Sequence, residues 1–336
     1  MNARHLRNVI ETCFPAFTVQ SIAFLAEGWS STVWDVNGTH VFRFPKRPAV
    51  ATGLLKEMSL LPVLASALPI QIPRFEYAWR GGPAYEGVFV GYPMIPGGML
   101  TERHWSEMAA GAAPSASAGA GASASATAER PGLASRRTKD AAATAGSVAA
   151  RPLARQLGAF LTALHSFPLQ RAIGAGIPDG TPADWQRQCQ SLYESARERV
   201  FPLLDTVTRR AADTWWAGFL TSAATLGFTP VLIHGDLGTE HILCDRSLGT
   251  LTGVIDWEDA SIGDPALDFA GLLATLGAGA VEEVLSAYGG PADARLASRA
   301  GFYVAVAPFH EVLHGLDTGL TEHVHAGLQA IRAAWK

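Results

Sequence analysis

The chain has 336 residues, 48% hydrophobic and 17% charged, enough to bury a large core and long enough for two lobes. A net charge of −4 at pH 7 argues against a nucleic-acid binder, which would be basic. No apolar run reaches the roughly 18 residues of a membrane span, the first residues carry no signal-peptide pattern, and the widely spaced Cys13, Cys189 and Cys244 point to a reducing cytoplasm.

In chain order, residues 3–13 read as a short helix and Val19–Leu25, Thr32–Val36 and His40–Phe44 as strands. Asn37-Gly38 joins the last two, because both residues tolerate the positive φ of a tight hairpin turn. Leu54, Leu55, Met58, Leu61 and Leu64 recur at helical spacing within 50–67, with Pro62 as an expected kink. Two further strands, Phe75–Trp79 and Val88–Met94, flank Gly81-Gly82-Pro83. Strands, one helix, then strands again make a small antiparallel sheet crossed by a helix. The stiff run Tyr92 to Gly98, with two prolines and two glycines, suits a joint between lobes.

Residues 108–150 are dominated by Ala, Gly and Ser and lack large apolar residues or any period. Such a segment cannot bury enough surface to offset its ordering entropy, so disorder is expected. Helical patterns resume at Leu153–His165 and continue over 184–204, 207–226, 266–287 and 292–333, broken by a strand-rich stretch at 229–262. The charge is uneven: residues 1–175 carry 16 basic and 10 acidic residues, residues 176–336 carry 10 and 20. An acidic half attracts cations.

The interruption holds the chemistry. Asp236 follows the apolar run Val231–Ile233, His241 comes five residues later, and Asp256 follows Val254-Ile255 across a turn at Asp245–Thr250. All three sit at ends of short strands that can converge. A carboxylate to orient a hydroxyl, plus a second carboxylate and a neutral partner for divalent ions, are the parts needed for phosphoryl transfer.

The set His234-Gly235-Asp236, His241, Ile255-Asp256-Trp257 and Gly263-Asp264-Pro265 resembles the aminoglycoside phosphotransferase family. His241 and the strand Phe42-Arg43-Phe44-Pro45-Lys46 resemble its 2''-phosphotransferase branch. The resemblance spans nearly the whole chain outside 108–150. It implies an α+β, two-lobed protein-kinase-like fold, with an antiparallel-sheet N-lobe over 1–97 and a helical C-lobe over 98–336. It further implies transfer of the γ-phosphate of ATP or GTP, with Mg2+, to a hydroxyl of a small molecule such as an aminoglycoside. The protein would act as a monomer or dimer, without nucleic acid or membrane.

Carried over position by position, Asp236 is the catalytic residue and His241 and Asp256 hold the metal. Magnesium prefers oxygen, so histidine is an unusual ligand. Ser30, Ser31 and Thr32 cover the phosphates, and Arg43 stands at the phosphate-binding position with Glu57 as its partner (Lys46 being the alternative). Backbone groups at Pro93, Met94 and Ile95 meet the base, and Glu258 and Asp259 face a cationic acceptor. Asp264 and Asp268 read as caps and loop anchors, His234 as a loop holder, and Trp257 as core.

Three competing readings remain. Other acceptors, such as a macrolide, amino alcohol or sugar, fit the same machinery. A nucleotide binder that transfers nothing would share the fold. His310-Glu311-Val312-Leu313-His314 matches the zinc-protease pattern H-E-x-x-H, but no third ligand stands at a known spacing.

Overall fold

The computed structural model describes residues 2–28, 30–47, 50–109, 151–221, 227–291 and 293–335. Of the segment expected to be disordered, 110–150 lies outside the described residues, whereas 108 and 109 complete a helix.

Helix α1 (Ala3–Cys13) is followed by strands β1 (Ile22–Glu27), β2 (Ser31–Val36) and β3 (His40–Pro45), helix α2 (Ala51–Leu64), and strands β4 (Tyr77–Gly82) and β5 (Tyr85–Pro93). The five strands form one antiparallel sheet in the order β1-β2-β3-β5-β4. The β2–β3 turn has the positive φ values expected, 63° at Asn37 and 67° at Gly38. The Asn37 side chain also accepts from the amides of Gln20 and Ser21 and donates to the Thr18 carbonyl. This tie fixes the approach to β1, which starts three residues later than its apolar run suggested.

Alternation along β3 decides what each face meets. Phe42 and Phe44 pack against α1 through Leu6, Val9 and Ile10. Val41 packs on the opposite face with Leu54 and Met58 of α2. Arg43 belongs to that second face, which brings it onto α2 and Glu57. Helix α2 runs through Pro62 without ending.

Beyond the five-stranded sheet, β6 (Gly98–Met99) pairs with β8 (Ile242–Asp245), and β8 in turn pairs with β9 (Thr250–Val254). Strands β7 (Val231–Ile233) and β10 (Ser261–Gly263) form a separate pair. Around them lie α3 (Glu102–Ala109), α4 (Pro152–His165), α5 (Leu169–Gly174), α6 (Pro182–Arg199), α7 (Thr206–Thr221), α8 (Ala266–Leu276), α9 (Ala278–Ala287), α10 (Leu296–Thr318) and α11 (Thr321–Ala334). Two long helical patterns are each split by a glycine with positive φ, Gly277 at 82° and Gly319 at 74°. Periodicity runs through such breaks because the apolar face is kept on both sides. The end of the 207–226 pattern lies outside the described residues past 221.

A buried ion pair pins the helical part. Asp264 accepts from the Ala266 amide at the start of α8 at 2.9 Å, and from Arg299 Nε and Nη2 at 2.6 and 2.9 Å and Tyr303 at 2.8 Å. Arg299 is fully buried and also bonds Asp293. Removing Asp264 leaves the buried Arg299 guanidinium with Asp293 as its remaining carboxylate and the Tyr303 hydroxyl without this acceptor, so Asp264→Ala is expected to cost about 3 kcal/mol, the low end for a broken buried pair. Chemical denaturation reads this as a lower midpoint.

Candidate active site

The loop after β7 carries His234, Gly235 and Asp236, then a 3-10 turn at Thr239–His241 leads into β8. The hairpin back through β9 is turned by Asp245, whose Oδ1 accepts from the amides of Ser247 and Leu248. Register pairs Ile242 with Val254, and the Ile255 amide donates to the His241 carbonyl at 2.9 Å. Asp256 therefore emerges beside His241. It does so with φ at 66°, a left-handed conformation costly for a residue with a Cβ and frequent at functional sites.

Three side chains separated in sequence thus meet. His241 Nδ1 lies 2.7 Å from the Asp236 carbonyl and 3.6 Å from Asp236 Oδ2; His241 Nε2 lies 3.6 Å from Asp256 Oδ2. A carbonyl only accepts, so in the neutral ring Nδ1 carries the proton and the Nε2 lone pair faces Asp256.

The loop is held from behind. The His234 and Gly235 amides donate to Asp268 of α8 at 3.0 and 2.9 Å. His234 is buried; its Nε2–H donates to the Ile255 carbonyl at 3.0 Å, while Nδ1 accepts from the Asp236 amide at 3.3 Å. Burial lowers its pKa and so favours this neutral form. Gly235 has φ 88°, and a Cβ there would collide with the Asp259 carbonyl. Asp268 also bonds His165 Nε2 at 3.1 Å, and His165 Nδ1 pairs with the Tyr288 hydroxyl at 2.8 Å. His165 and Tyr288 were missed from sequence. The available signal was a histidine on the apolar face of α4.

Arg43 joins the lobes. Its Nη1 donates to Glu57 Oε1 and Oε2 at 3.1 and 2.9 Å, and its Nη2 to Asp256 Oδ1 at 2.9 Å. Burial pushes the Glu57 carboxyl up while the Arg43 charge pulls it down. Lys46, the alternative, pairs instead with Glu27 at 2.6 Å. The next inter-lobe bond is Lys56 Nζ to the Ala260 carbonyl at 2.8 Å. Partial desolvation raises the pKa of Asp236; His241 opposes this, and Asp259, Glu240 and Asp256 add to it.

Other expected residues are placed variously. Ser30 and Ser31 are buried at the turn into β2. At the hinge, Pro93 has no amide hydrogen and the Met94 amide already donates to the Thr39 carbonyl at 2.8 Å. Of the two amide hydrogens in 93–95, that of Ile95 is, among the described residues, the one left for a base. Glu258, expected toward an acceptor, turns to the N-lobe, 3.8 Å from Arg43 Nη2. Trp257 is buried and donates to the Val254 carbonyl at 3.0 Å. Among the described residues, the carboxylates of Glu57, Asp256 and Glu258 cluster closely enough for a cation, and no such group forms at His310 or His314. Glu311 lies 3.6 Å from His323 instead, so the zinc-protease reading has no ligand set behind it. No described helix is long and apolar enough to cross a membrane.

Comparison with known proteins bears on the family and the fold. Residues 21–300 match the profile of the phosphotransferase enzyme family, APH. The GDP complex of wild-type aminoglycoside 2'-phosphotransferase-IIIa superposes with a TM-score of 0.78 at 30% identity, covering 99% of this chain and 98% of that one. The GDP and kanamycin complex of APH(2")-IIia gives 0.78 at 29%, covering 98% and 97%. Viomycin phosphotransferase from Streptomyces vinaceus is 30% identical over 185 residues, which span 54% of this chain and 62% of that protein. The two-lobed fold, with an antiparallel-sheet N-lobe and a helical C-lobe, is the kinase-like fold of these structures. The chain belongs to the phosphotransferase enzyme family.

Proposed function

We propose that the protein transfers the γ-phosphoryl group of ATP or GTP to a hydroxyl of a small polycationic molecule of the aminoglycoside kind. The observation that carries this reading is the meeting of Asp236, His241 and Asp256 beneath Arg43. GDP in the complexes of two structural relatives supports a purine nucleotide.

In this reading Asp236 accepts a hydrogen bond from the acceptor hydroxyl and aligns it, and takes its proton as the new bond forms. Arg43, held by Glu57, contacts the nucleotide phosphates, and Ser30, Ser31 and Thr32 cover them. The donors at hand fit Mg2+: Asp256 offers a hard carboxylate oxygen, and the His241 lone pair faces the same space, as a direct or water-bridged partner. When bound, the ion would offset the negative charge that develops on the phosphates during transfer. Asp259 and Glu240, near enough to Asp236 to raise its pKa, give the acceptor side an acidic rim suited to ammonium groups. Three buried free cysteines suit a cytoplasmic location.

The test is a panel of aminoglycosides, viomycin-like peptides, macrolides and amino alcohols, each with ATP or GTP, scored by nucleoside diphosphate release. Acceptor-dependent release with a polycation supports the reading. Release with macrolides alone would replace the acceptor class, and no release with any acceptor would favour a nucleotide binder without transferase activity.

A further inference from the structure

Glu258 stands two residues beyond Asp256 yet makes its contacts in the other lobe. Its Oε2 lies 3.8 Å from Arg43 Nη2. The Ser30 side chain, in the turn that precedes β2, lies near enough to this carboxylate to favour its ionised form. Its Cβ packs against α2 at Gly53, where an added Cβ would come within 3.1 Å of it. One residue therefore lies beside the phosphate-covering turn, the strand that carries the phosphate-binding guanidinium, and the helix that orients it. Ser30 and Arg43 are themselves buried, so few donors are free to meet a polyphosphate here.

Resting on the phosphotransferase reading, we propose that Glu258 competes with the nucleotide phosphates for Arg43, holding nucleotide affinity down and hastening release of the diphosphate product. Two physical effects act in the same direction. The carboxylate already pairs with the Arg43 charge that the phosphates would use, and a negative charge this close repels a polyanion, an interaction weakly screened where water is partly excluded. Weaker diphosphate binding serves turnover in a kinase-like cleft, where product release often limits the rate. The effect is confined to phosphates, because Glu258 lies at the Arg43 end of the cleft and the base is assigned to the hinge at Pro93–Ile95.

Calorimetric titration of the full chain with ATP, GTP, GDP and the corresponding nucleosides tests this. Glu258→Gln keeps the shape but removes the charge. It is expected to tighten triphosphate and diphosphate binding on the order of tenfold, leave nucleoside binding unchanged, and slow diphosphate release in stopped flow. Glu258→Ala, which adds no atoms, is expected to act in the same direction and serves if the amide variant does not fold. Nucleotide affinity equal to or below wild type overturns the proposal, as does equal tightening of nucleoside and nucleotide. Failure of the unmodified chain to bind any phosphorylated nucleotide would overturn the phosphotransferase reading and this inference with it.

Discussion

Asp256→Asn is expected to lower kcat on the order of 10³-fold or more, the range seen when charge stabilisation of a transition state is lost. Asparagine is the informative replacement because the residue sits at φ 66°. Asparagine tolerates that left-handed conformation, whereas alanine would add backbone strain to the lost charge. Arg43 can still donate to the asparagine Oδ1, loses only the charge of that partner, and keeps both bonds to Glu57, so the fold should survive. Diphosphate release at saturating acceptor, beside a thermal melt, separates the two effects. Near-wild-type turnover in a folded variant would remove Asp256 from the mechanism.

Asp236→Asn should cost about 10²–10⁴ in kcat, the usual contribution of a positioned general base, with little change in nucleotide KM, since Asp236 is assigned to the acceptor hydroxyl. The pH dependence has a definite sign. The working form is the carboxylate, and partial desolvation together with neighbouring acids raises its pKa above the ordinary 3.8. Protonation on acidification disables the base, so kcat/KM for the acceptor should fall as pH drops through a limb lying above 3.8 and rise to a plateau on the alkaline side. The asparagine variant should lose that limb. A limb unchanged in the variant would assign the titration to another group.

Much of the site was legible because its residues are local to one hairpin. An apolar strand, a turn and a second hairpin of fixed length set Asp236, His241 and Asp256 within reach of one another, and spacing alone carries that information. The β2–β3 turn was legible for a related reason, since Asn37 and Gly38 meet a steric requirement that few residue pairs meet. Arg43 rather than Lys46 follows from strand alternation, which puts Arg43 over α2 once the position of α2 is known.

Long-range direction was less visible. Sequence neighbours suggested that Glu258 and Asp259 share a role, but the left-handed turn at Asp256 sends Glu258 to the N-lobe. The support of the loop by Asp268, His165 and Tyr288 joins three helical segments far apart in the chain. The partnership of Asp264 with Arg299 likewise links positions 35 residues apart. Helix breaks at Gly277 and Gly319 escaped periodicity because the apolar stripe resumes after each.

The account depends on one cation-binding point between the lobes. Crystals of the full chain grown with a non-hydrolysable GTP or ATP analogue and Mn2+ locate that point by anomalous scattering. The expected result is a manganese peak bonded to the Asp256 carboxylate, adjacent to His241 and to the nucleotide phosphates. A peak remote from Asp256, or nucleotide bound with its phosphates away from Arg43, would contradict it.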